Sequence, residues 1–147
     1  MKLAKALKEK NRIVGQINKL KAIVQRENSR EVKSSSKVDR EKVYAELTKA
    51  IEELVTLKTA IFQANRGIYA SIVAIGEMKA MIPWLQGLTT TTGVVETPQY
   101  GRNGEVYSRE YTAFLTQEDI DAKVAEFEAS IAKLQDEIDA YNATTEI

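Results

Sequence analysis

Residues 117–142 read QEDIDAKVAEFEASIAKLQDEIDAYN, and the spacing of their apolar side chains decides the fold. Ile120, Val124, Phe127, Ile131, Leu134, Ile138 and Tyr141 recur at alternating intervals of four and three. On an α-helix this spacing collects them on one stripe, with the charged residues between them on the flanks. Thr116 precedes the run and Asp119 follows it by three positions, the pattern of a capping box. The segment therefore predicts a capped helix of about 39 Å. Its seam needs another helix to bury against. The expected fold is mainly α: an antiparallel three- to four-helix bundle or coiled coil in a single domain, 1–147.

Three further helices are expected upstream. Leu3, Leu7, Val14, Ile17, Leu20 and Val24 mark a helix over about 3–28. Ser34-Ser35-Ser36 reads as a flexible turn, and Ser36 or Asp39 as the cap of a second helix over 39–66. There Leu47, Ala50, Leu54, Leu57, Ile61, Ala64 and Ile68 keep the same alternation, and Gly67 reads as a stop or kink. A third helix, about 69–86, is apolar on more than one face, and Pro83 is expected to kink or end it. The chemistry then changes to β-branched and aromatic residues around Asn103-Gly104, which predicts a β-hairpin over about 92–115. A lone hairpin is marginal in water, so it is expected to lean on the bundle or pair with another subunit.

The formal charge is zero, 21 basic against 21 acidic residues, but it is unevenly placed. Residues 1–28 hold eight basic and two acidic side chains, residues 117–142 hold eight acidic and two basic, and residues 39–66 hold five of each. Opposed charge beside apolar seams predicts that the first and last helices are neighbours. Lys19 or Arg26 would then face Glu126, Glu128 and Asp136.

Function is bounded mostly by what is missing. There is no cysteine and no histidine. That removes disulfides, thiolate metal sites, a thiol nucleophile, the commonest neutral-pH base and the Glu-x-x-His element of di-metal bundles. Gly101-Arg102-Asn103-Gly104 lacks the Lys-Ser/Thr and helix of a phosphate loop. Glu77 and Lys79 interrupt the third helix but stand two apart and do not face each other. No catalytic, cofactor or metal residue is assigned, and the chain is not read as an enzyme. The basic start is not followed by a long apolar run, so no signal peptide is expected and the location is read as cytoplasmic.

The third helix and the hairpin carry more apolar surface than one small bundle can cover. Tyr69, Met78, Met81, Trp84, Tyr100, Tyr107, Tyr111 and Phe114 are therefore the expected interface, and the chain a homo-oligomer. Two alternatives are weighed against this. A membrane-active protein would use residues 68–88, which Glu77, Lys79 and Pro83 argue against. A nucleic-acid binder would use the basic first helix, which lacks interleaved aromatics.

Several short stretches resemble a family of small bacterial proteins labelled septicolysin-like. They are the opening Met1-Lys2-Leu3-Ala4-Lys5-Ala6-Leu7, Ile61 with Asn65, Tyr107-Ser108-Arg109, and the closing run Asn142-Ala143-Thr144-Thr145-Glu146-Ile147. The chain departs from that pattern at Arg66-Gly67, where the family has threonine, and at Glu77-Met78-Lys79, where it has an Arg-Asp pair. The label implies a cytolysin. The thiol-activated cytolysins are much larger and need a cysteine.

Overall fold

The computed structural model describes residues 1–98, 104 and 106–147. Among them the fold is mainly helical, with a two-stranded antiparallel hairpin before the last helix, as the sequence predicts. The elements are α1 (Leu3–Glu27), α2 (Arg40–Asn65), α3 (Tyr69–Gln86), β1 (Gly93–Pro98), β2 (Val106–Tyr111) and α4 (Gln117–Thr144). They form two compact units, Met1–Tyr69 with Ile138–Ile147, and Ala70–Glu137.

In the first unit α1 and α2 pack antiparallel along their whole seams. Ile13, Ile17 and Leu20 meet Leu47 and Ala50 near the connection. Leu3 and Ala6 meet Ile61 at the far end. The seam of α1 is filled by α2, the helix of balanced charge, while the first residues of α1 also meet Tyr141 of α4. Each buried Leu or Ile contributes about 1.5–3 kcal/mol, against ~0.2–1 kcal/mol for an exposed ion pair, so the apolar seams win. Arg26 pairs with its neighbour Glu27 at 3.4 Å. Glu126, Glu128 and Asp136, the expected partners, belong to the second unit.

The connection between α1 and α2 is more tied than its serines suggest. Arg30 donates to Ser36 Oγ (3.3 Å) and to the Val38 carbonyl (3.1 Å). Arg40 donates to the carbonyls of Glu27 and Asn28 at 3.2 Å. These are acceptors that the end of α1 leaves open. Asp39 supplies the cap of α2, accepting from the Lys42 amide at 3.1 Å, while Ser36 serves the connection instead. The Glu27 carboxyl is held below its ordinary pKa by hydrogen bonds from Ser36, Arg30 and Arg26.

The start of α1 has no side-chain cap. Its first amide, on Leu3, instead donates to the Thr145 carbonyl at 2.8 Å, and Ile147 N donates back to Met1 O at 2.9 Å. Lys2 and Glu146 thus form an antiparallel bridge. Glu146 also meets the Lys2 ammonium at 2.8 Å and the terminal ammonium at 2.9 Å. Hydrogen bonds from these two groups bring the Glu146 carboxyl down to about 2. A carboxylate whose folded pKa is depressed stabilises the fold above its ordinary unfolded value near 4.5 and loses that contribution as pH falls through about 2. Acid titration followed by helicity should show this as a difference between the native chain and Glu146→Gln. The two should differ at neutral pH and converge below about pH 2.

Tyr141 ties together the two chain segments of this unit. Its hydroxyl donates to the Ala64 carbonyl at 2.8 Å. That satisfies one of the last acceptors of α2. The ring can sit there because residue 67 is glycine: a Cβ would collide with the hydroxyl and lie 3.0 Å from Cζ. Gly67→Ala should therefore cost about 1–3 kcal/mol in denaturant titration, as overpacking does. Removing the colliding oxygen with Tyr141→Phe should recover part of that loss. No recovery would mean the contact is not the cause.

In the second unit Leu85 of α3 packs with Ile120 and Val124 of α4, flanked by Ile82, Leu88, Leu115 and Phe127. The capping box forms as predicted. Asp119 N donates to Thr116 Oγ1 (3.2 Å), and Thr116 N to Asp119 Oδ2 (3.0 Å). Hydrogen bonds from the Thr116 amide and side chain hold the Asp119 carboxyl below its ordinary pKa. Pro83 does not end α3, which runs on to Gln86; Gly87 closes it, its amide donating to the Pro83 and Trp84 carbonyls. The hairpin is smaller than the predicted 92–115, and Pro98 stands opposite Val106. The expected turn at Asn103-Gly104 lies partly outside the described residues. Gly104 has φ +57° and Asn103 lies outside the described residues.

Candidate interface surface

The hairpin is built by strand periodicity. Cross-strand partners share a face, so Gly93 opposite Tyr111, Val95 opposite Arg109 and Thr97 opposite Tyr107 form one side. Val94 with Glu110 and Glu96 with Ser108 form the other. Two tyrosines thereby flank one arginine. The Arg109 guanidinium lies 4.8 Å from the centre of the Tyr107 ring, a cation–π contact. Every residue of β2 is exposed. Phe114, just past the strand, is 95% exposed. Among the described residues, Thr90 Oγ1 on the approach to β1 donates to Gln117 Oε1 of α4 at 3.4 Å.

On α3 the expected interface residues separate. Met78 is half-buried, while Tyr69, Met81 and Trp84 are exposed. Tyr69, Val73 and Trp84 share a helical face opposite Leu85 and Ile75, at spacings of four and eleven. This explains how a helix can be apolar on two sides: one packs into the unit, the other faces outward. Glu77 and Lys79 are both exposed. Of the eight residues predicted for the interface, Tyr107 and Tyr111 stand together on the hairpin and Tyr69 and Trp84 on α3. Tyr100 lies outside the described residues.

Two features were not predicted. Arg109 belongs to the aromatic face, and alternate spacing from Tyr107 to Tyr111 was the available signal. The second is an outward stripe on α2, where Tyr44, Ile51, Val55 and Phe62 are all exposed. Its signal was the spacing of seven, four and seven, interleaved with the buried seam.

Other chemistry is sparse. A groove of about 500 Å³ on the first unit runs along α2 beside the chain ends, with Glu52, Glu53 and Lys49 at its rim and Leu57, Met1 and Ile147 among its lining. The basic side chains Lys5, Lys8, Lys19 and Lys21 of α1 are exposed. Among the described residues no group of three or more acidic side chains converges as a metal site. Among them, too, no single helix is long and apolar enough to cross a membrane. No match to the chain was found among family models, curated proteins or solved structures.

Proposed function

We propose that this chain is a non-enzymatic helical interaction protein that self-associates through the outer face of α3 and the hairpin. The observation that carries the reading is the uncovered hairpin. A two-stranded sheet is marginal in water. Yet β2 is exposed along its whole length and presents Tyr107, Arg109 and Tyr111 on one face. Tyr, Trp and Arg are the side chains most often found at the energetic centre of interfaces. On the outward stripe of α3, Trp84 is 57% exposed. That stripe adds apolar area of the kind that partners cover.

Light scattering against concentration tests this. The native chain should exceed its monomer mass of 16.4 kDa at micromolar concentration. Trp84→Ala and Arg109→Ala should each weaken the association by about tenfold or more. A monomer throughout that range defeats the reading.

A further inference from the structure

We infer that the outward stripe of α2 is a self-complementary surface that takes a second copy of this chain in antiparallel, two-fold register. The stripe consists of Tyr44, Ile51, Val55 and Phe62, exposed at 62%, 41%, 61% and 68%. Glu52 stands between the stripe and the groove beside the chain ends.

The argument rests on symmetry. An interface around a two-fold axis must pair one surface with itself, so a residue i that meets j requires j to meet i. The spacing of seven, four and seven reads the same in both directions. An axis crossing the stripe at the level of Glu53 therefore sets Tyr44 against the partner's Phe62 and Ile51 against the partner's Val55. Aromatic meets aromatic at both ends and aliphatic meets aliphatic at the centre, over about 27 Å of helix.

The polar flank follows the same axis. Glu41 and Arg66 are separated by very nearly a whole number of helical turns, about seven, so they lie on one line along the helix. Arg66 keeps helical geometry as the C-cap, φ −55° and ψ −33°. In this register Glu41 stands beside the partner's Arg66, and the pair recurs at the other end. Thr48 and the partner's Thr59 match in the same way between them. One feature opposes the pairing: Glu52 lies on this flank beside the axis, close to the partner's Glu52.

Size sets the strength. An aromatic side chain buries ~150–250 Å², so the stripe offers on the order of 400 Å² per copy at the exposures it has. About 800 Å² for the pair falls below the ~1,200–2,000 Å² of stable interfaces, and the association should be weak and concentration-dependent. This surface is separate from α3 and the hairpin and is tested separately.

The chain has no cysteine, so introduced thiols are the sole ones. Mixing Tyr44→Cys with Phe62→Cys protein under mild oxidation should give the mixed cross-linked dimer, with little dimer from either alone. Dimer from Tyr44→Cys alone means a parallel pairing and overturns the proposal, as does the absence of cross-linking in the mixture. In sedimentation equilibrium, Val55→Glu should weaken association by about tenfold or more, with helicity unchanged. Glu52→Gln should tighten it severalfold by removing the like-charge contact. If Trp84→Ala dissociates the chain while Val55→Glu and Glu52→Gln leave association untouched, the α2 surface is refuted and the reading of α3 stands. If Val55→Glu alone acts, the reverse holds.

Discussion

Leu3→Ala should lower the stability of the first unit by about 2–5 kcal/mol, the cost of emptying a fully buried leucine site. Leu3 is 0% exposed and packs with Ala6 and Ile61, with Leu57, Ala64, Tyr141 and Ile147 closing around it. Three parts of the chain meet at this side chain: the start of α1, the end of α2, and the end of α4 with the residues after it. Its own amide is held by Thr145. The cavity has little freedom to collapse, because backbone hydrogen bonds fix α1 against the tail on one side and Tyr141 fixes the tail against α2 on the other. Domains of this kind have only ~5–15 kcal/mol in total, so the loss is a large fraction. Urea titration followed by helical circular dichroism measures it. Leu3→Met, which nearly conserves volume, should cost less than about 1.5 kcal/mol. Equal costs for the two variants would show that volume at this site does not matter.

Ile120→Ala should have a comparable effect, about 2–5 kcal/mol, on the second unit. Ile120 is 1% exposed and is the residue through which the first turn of α4 meets Leu85. Trp84, the single tryptophan, precedes Leu85 and belongs to this unit, so its fluorescence reports the loss directly. The denaturation midpoint read by Trp84 should fall in Ile120→Ala. An unchanged midpoint would mean that α3 and α4 do not depend on this contact.

The features legible in the sequence are those whose cause is local. The Thr116–Asp119 box is complete within four residues, and its two hydrogen bonds form as the spacing implies. The seams of α1, α2 and α4 follow from helical periodicity alone. What connects them does not. The opposite charge balances of α1 and α4 do not reveal that α2 fills the seam of α1, because exposed charge is a weak selector beside an apolar seam. A short connection already places α2 next to α1. The contact of Tyr141 with Ala64 spans 77 positions, and no local pattern announces it; Gly67 looked like a helix stop because the ring it admits is distant in the chain. The site followed the same division. Tyr107 and Tyr111 were legible as aromatics of a strand, whereas the contact of Arg109 with the Tyr107 ring depends on the strand conformation that puts them on one face. The α2 stripe was hidden because the stronger, buried alternation runs through the same residues' neighbours.

The bridge between Lys2 and Glu146 has one more consequence. It holds the first and last residues of the chain side by side, with Met1 and Ile147 joined by a hydrogen bond of 2.9 Å. The backbone therefore closes on itself like a ring with a single gap. A short linker across that gap would let the polypeptide be opened elsewhere, for instance among the exposed serines 34 and 35, giving a permuted chain that begins at α2 and ends with α1.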